Sequence, residues 1–288
     1  MSKTGLLLGS AILLGVVGAV FFLAIISKGR SGHHGEEAAT SGTGDTGTPE
    51  HLRPLMAEPG ERPPFERLAP LQEADRSSLL RLYSETSDLS ERRALVWALG
   101  HVGGKGVADV FIGALTAEFK DKALSQTEED VLCDMIFALG RVAERDDDAY
   151  AFLKQGADPA FWKGKQLWRS PRGDYRDNLL VSYSIQAVAI SGRPEAMSFL
   201  ESLKARGRGY LHAFAGDITQ GAFYLHLREK GGADLLMRHM LAHNDKSLFE
   251  DWIQTAKGAR WLEWANEQMR GPVPESPEQG HPSTPVPE

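Results

Sequence analysis

The sequence predicts an all-α protein: stacked antiparallel helix pairs forming an α-solenoid, preceded by a single transmembrane helix. Three observations lead there. Gly5–Ile26, GLLLGSAILLGVVGAVFFLAII, carries no charge. The pentapeptide Ala98-Leu99-Gly100-His101-Val102 returns forty positions later as Ala138-Leu139-Gly140-Arg141-Val142. Strand signals are sparse, with no alternating β-branched runs and no Asn-Gly hairpin. Paired helices repeating near 40 residues are the mark of an α-solenoid.

After a short tail (residues 1–4), the uncharged stretch 5–26 comes first. At helical rise it spans roughly 33 Å, enough for a hydrocarbon layer of ~30 Å. A secretory signal has a shorter apolar core and a small-x-small cleavage site. This run is longer and ends Leu23-Ala24-Ile25-Ile26-Ser27-Lys28 without one, so it reads as a retained anchor in the bilayer. Gly5 and Gly9 form a GxxxG spacing that permits weak dimerisation of the anchor. The flanking charges, Lys3 against Lys28 and Arg30, are balanced. The solvated composition of Ser31–Pro49 favours an extracytoplasmic placement of the helical domain.

Residues 27–70 read as a linker, polar at first and then punctuated by proline. The helical domain is expected over 71–270. Leu95, Ala98, Leu99 and Val102 stripe one helix, and Leu132, Met135, Ile136, Leu139 and Val142 another, at spacings of three and four. Val107, Val110, Phe111, Ala114 and Leu115 stripe the partner of the first. Tyr150, Phe152 and Leu153 mark a shorter partner of the second. A third unit begins at Asn178, and Ser191-Gly192-Arg193-Pro194 separates its helices with the Gly-then-Pro punctuation of a helix end and a helix start. A fourth pairs Ile218–Glu229 with Ala233–Leu241 across Lys230-Gly231-Gly232. The last pairs Ser247–Ala256 with Ala259–Met269. The tail 271–288 holds six prolines and is expected to be disordered or polyproline-like.

The stretch Arg93-Ala94-Leu95-Val96-Trp97-Ala98-Leu99-Gly100-His101-Val102-Gly103 resembles the short HEAT-type repeat, including the variant found in phycobilisome lyases. The resemblance is closest in the first unit and fades after Arg206; Gly104-Lys105 departs from the usual pattern. It implies a stacked-helix fold used for protein binding, and carries no lyase chemistry with it. The small residues Ala98, Gly100, Ala138, Gly140 and Gly192 are expected at helix junctions. Ala98, Gly100, Ala138 and Gly140 let the next helix approach there, and Gly140→Leu should overpack the contact.

The insertion 156–177, GADPAFWKGKQLWRSPRGDYRD, gathers Phe161, Trp162, Trp168 and Tyr175 among Lys163, Lys165, Arg169 and Arg172. Trp and Arg are favoured at binding hot spots, which makes this cluster the candidate protein-binding site. The competing reading is that its aromatics fold back over exposed core. His239 and His243 share a helix face, but no Glu completes a metalloprotease motif, and no metal site is expected. Asp146-Asp147-Asp148 lacks the alternation of a calcium loop and reads as a helix cap. The lone Cys133 lies in an apolar run and reads as core. Gly100–Gly106 joins two helices and is no nucleotide loop; there is no GxSxG elbow.

A net charge of -7 argues against a nucleic-acid partner. The expectation is a membrane-anchored, non-catalytic scaffold or adaptor without cofactor, bound to a protein partner that the sequence does not name. The alternative is a membrane-tethered lyase or hydrolase with a pocket in the solenoid concavity.

Overall fold

A computed structural model describes residues 48–56, 62–118, 123–164, 175–242 and 246–270. Among them every regular element is helical. After a 3-10 turn, Glu50–Met56, come α1 (Phe65–Leu68), α2 (Arg76–Glu85), α3 (Leu89–Val102) and α4 (Val107–Gly113). Next in order are α5 (Gln126–Val142), α6 (Asp147–Gly156), α7 (Pro159–Gly164), α8 (Tyr175–Ile190) and α9 (Glu195–Leu203). The chain continues with α10 (Arg208–Leu241), α11 (Ser247–Ile253) and α12 (Ala256–Met269). No described helix is long and apolar enough to cross a membrane; the stretch 5–26 and the tail 271–288 lie outside the described residues.

Side chains set the helix starts. Asp88 caps α3 by accepting from the Ser90 and Glu91 amides. Ser125 and Glu128 form a reciprocal capping box at α5. Asp146 accepts from the Ala149 amide at 2.8 Å, so the acidic run is the cap of α6. Gly103, at φ +61°, closes α3, a conformation that L side chains rarely adopt.

Helix α10 starts ten residues before Ile218, because Leu211, Phe214 and Ala215 extend its buried stripe toward Gly207. It breaks at Gly231 and Gly232, and the limb Ala233–Leu241 continues beyond.

The helices α3, α5, α8, α10 and α12 form a row in which each packs on the next. What lets them approach is a seam of small residues. A Cβ on Gly100 would lie 2.7 Å from the Ala138 Cβ. One on Gly140 would lie 2.7 Å from the Ala187 carbonyl; at Gly221 the fit is looser, with the Leu200 side chain at 3.1 Å and the Ala189 Cβ at an ordinary contact distance of 3.4 Å. Gly192 acts at the junction in another way: it sits in the turn after α8 at φ +62°, as its place between two helices predicts, against the Arg228 side chain. The remaining helices pack against members of the row.

Arginines stitch neighbouring units at their carboxyl ends. Arg193 Nε donates to the Ala143 carbonyl at 2.6 Å, beyond α5, and Arg228 donates to the Ile190 carbonyl at 2.6 Å, ending α8. Both satisfy carbonyls that the helix itself leaves open, and both complement its dipole.

The folded unit begins earlier than residue 71. Leu52, Leu55, Phe65 and Leu68, assigned by sequence to the linker, are buried. The turn Glu50–Met56 packs on α3, and α1 packs on both α3 and α10. Residues 48–56 and 62–68 therefore act as a strap across the row. Each apolar pair is spaced by three, but the segments are short and broken by prolines, and their cover comes from helices remote in sequence.

Substitution tests the seam directly. Gly140→Ala is expected to cost about 1–3 kcal/mol by overpacking, and Gly140→Leu at least as much. Gly113→Ala, whose Cβ meets open space at the end of α4, should be neutral or stabilising by a few tenths of a kcal/mol. Urea melts of the three variants check the contrast.

Candidate functional site

The strap delivers Arg62 onto the row. Its guanidinium lies over the Trp97 ring at 5.2 Å and the Phe137 ring at 5.9 Å. It donates to Asp134 Oδ1 through Nε at 3.0 Å and through Nη2 at 2.6 Å. From α3, Arg93 Nε donates to Asp134 Oδ2 at 2.6 Å. Asp134 is 0 % exposed. Burial alone would push its carboxyl up, yet the two guanidiniums overcome that and hold it below the usual carboxylate range. For Arg62 burial works against the charge, and Asp134 more than offsets it. Because Asp134 is depressed in the folded state, its contribution is complete at neutral pH and is lost on acidification.

The same face continues through α8 and α10. The rings of Phe137 and Tyr183 lie 4.5 Å apart. Beyond them is Asp217 on α10. Ser182 Oγ donates to its Oδ2 at 2.9 Å and Gln186 Nε2 to its Oδ1 at 2.8 Å, both from α8. Burial pushes this carboxyl up to about 6, and the two neutral donors only moderate the effect. Tyr224 borders both carboxylate sites, since its hydroxyl feels the charge of Arg62 and that of Asp217.

A third polar group joins the strap to the far limb of α10. Arg238 pairs with Glu66 and lies over the Phe65 ring at 4.2 Å, while Phe65 meets the His101 ring edge-on at 6.0 Å. A shallow hollow of about 420 Å³ lies elsewhere, between α11 and α12, lined by Ile253, Leu262, Glu263, Asn266 and Arg270 among others. It shares no residue with the strapped face.

The candidate residues of the insertion separate. Trp162 is 1 % exposed and donates its indole N–H to the Gly156 carbonyl at 2.6 Å. It stacks edge-on with Phe152 at 5.7 Å and with Phe161 at 5.1 Å. This removes Trp162 from the surface contacts and bears out the fold-back reading for it: Trp162 fastens α7 to α6, and Phe161 is partly buried against the same cluster. Lys163 is exposed. Lys165, Trp168, Arg169 and Arg172 lie outside the described residues, and Tyr175 opens α8. Of the two histidines, His239 packs edge-on to Phe223 at 5.1 Å, and His243 lies outside the described residues. Among the described residues no three His, Cys, Asp or Glu side chains are grouped to hold a metal. Cys133 is buried.

No protein-family model matches the chain, and no curated protein or solved structure matches it.

Sequence reasoning passed over Arg62, Asp134 and Asp217. Two of them left a trace, because Asp134 and Asp217 are charges set within apolar runs of their helices. Arg62 left none, since it lies in a proline-rich segment 72 residues from its partner.

Asp134→Ala is expected to cost about 3–5 kcal/mol in a urea melt, because it leaves two guanidiniums without their shared counter-charge. Asp217 behaves oppositely. Its folded-state value, raised to about 6 from 3.8, makes stability fall as pH rises through that window. Asp217→Asn should therefore stabilise the fold at neutral pH, on the order of 1–2 kcal/mol, and flatten that part of the pH profile.

Proposed function

We propose that the chain is a membrane-anchored scaffold or adaptor whose helix row is a HEAT-like α-solenoid, held to a bilayer through residues 5–26, and whose strapped face binds polypeptide. One observation carries the reading. The row already accommodates an irregular stretch of main chain: Arg62 from the strap seats its guanidinium between aromatic rings and on Asp134. A surface that holds one such segment through a charged anchor side chain has the chemistry to hold another.

Further support comes from the construction of the row. The seam contacts Gly100–Ala138 and Gly140–Ala187 set successive helices side by side in closely similar register. A stack of that kind offers a long surface made of one helix per unit, which is how solenoids recognise extended partners. Residues 27–47 supply a solvated spacer between the anchor and this surface.

Two measurements test the reading. Full-length protein should float with phosphatidylcholine–phosphatidylglycerol vesicles on a density gradient, while a chain starting at residue 31 should remain at the bottom. Affinity purification from gently solubilised native membranes should return a defined polypeptide in fixed ratio to the chain. Recovery of the chain alone, or a full-length product that does not float, overturns the proposal.

A further inference from the structure

We propose that Asp217, together with Ser182 and Gln186, forms a receiving site for an arginine or lysine side chain presented by a partner polypeptide lying along the same helix row as the strap. The assignment rests on the scaffold reading and names the chemistry of its partner.

Register relates this site to the one the strap fills. Asp134 stands four residues before Ala138, the seam residue of α5 that meets Gly100 of the preceding helix α3. Asp217 stands four residues before Gly221, which packs under the Leu200 side chain of α9 and faces Ala189 of the preceding helix α8. The two carboxylates thus occupy equivalent places in the row. Their donors match as well. Arg93 lies seven residues before Gly100 on α3, and Ser182 lies seven before Ala189 on α8; each donates to the carboxylate of the next helix.

What differs is the charge. Asp134 is held by two guanidiniums, one from the preceding helix and one from the strap. At Asp217 the preceding helix contributes a hydroxyl and an amide, and among the described residues no cation pairs with the carboxylate. Arg206, over the neighbouring Tyr210 ring, is already committed to Asp158 at 3.1 Å. A desolvated carboxylate with only neutral donors carries a free-energy cost that an incoming cation relieves. Its raised protonation constant is the signature of that cost.

The surroundings fit the same ligand. At the first site aromatic rings flank the arriving guanidinium; at the second, Tyr210 and Tyr224 lie near enough that, besides burial, the Asp217 charge raises their hydroxyls. The carboxyl is largely desolvated, but Asp217 as a residue keeps part of its surface, which leaves an approaching side chain a way in. A main-chain-borne cation is favoured over a free one because the equivalent occupant, Arg62, arrives on a polypeptide, and because a net charge of -7 attracts basic segments.

The test uses full-length protein in detergent micelles and three fluorescent or competing probes. These are a labelled, end-blocked Ala-Ala-Arg-Ala-Ala peptide, its Gln counterpart, and free arginine amide. Fluorescence anisotropy should report binding of the Arg peptide, weakened by added salt, with the Gln peptide inert and arginine amide much the poorer competitor. Asp217→Asn should weaken the Arg peptide about ten-fold or more while its thermal melt stays at or above that of the unmodified chain. Gln186→Ala and Ser182→Ala should weaken it a few-fold.

Equal binding to Asp217→Asn, equal binding of the Gln peptide, or no binding at about 1 mM overturns the assignment. Competition by arginine amide as strong as by the peptide overturns the polypeptide as its occupant. If the partner recovered from membranes is retained by Asp217→Asn, the scaffold stands and this site falls. If no partner is recovered from either chain, the scaffold itself fails.

Discussion

The closeness of successive helix backbones is the constraint on which everything else in this fold rests. At Gly100–Ala138 and Gly140–Ala187 there is no room for one further carbon atom. With the backbones that near, neighbouring helices are locked in register, and Asp134 on α5 and Asp217 on α10, each one turn before the seam, reach donors of the helix before them. The burial of Asp134 and its grip by Arg93 result from that spacing. A larger residue in the seam would separate α3 from α5 and pull the carboxylate away from its donor. Packing and electrostatics are therefore one arrangement here.

The strap depends on the same geometry. A buried carboxylate with a single guanidinium would be an expensive feature to retain, and the second one, from Arg62, turns it into a fastening. The aromatic rings of Trp97 and Phe137 hold that guanidinium in place, and their attraction for it offsets part of the entropy lost in ordering a long side chain. Proline-rich main chain is thereby fixed on a helical surface by one polar anchor and a handful of apolar side chains, Leu52, Leu55, Phe65 and Leu68.

Much of the helical architecture could be read in advance because its causes are local. The Ala-Leu-Gly pattern named both partners of the first seam contact and the glycine of the second, and Gly231-Gly232 marked the break in α10. Asp146 announced the cap it forms. What escaped has non-local causes. Phe65 is buried because α3 and α10 are there to cover it, and nothing in the sequence between residues 57 and 70 distinguishes such a segment from a solvated linker. For Trp162 the sequence left two readings open, surface anchor or fold-back over core, and only the carbonyl six residues back that its indole reaches decides for the second. The pairing of Arg62 with Asp134 crosses 72 residues, a distance at which composition and periodicity are silent.

The position of the Arg62 anchor has a mechanical side. A terminal helix pulled from its outer end peels away one contact at a time, which needs little force. Here the amino-terminal strap is pinned to α5, two helices into the assembly, through a carboxylate shared with α3, and further along through Glu66 to the limb of α10. Tension entering from the residues before 48 is thus spread over several helices at once and loads the fastenings sideways. A body fastened in this way resists being unravelled from its amino-terminal side.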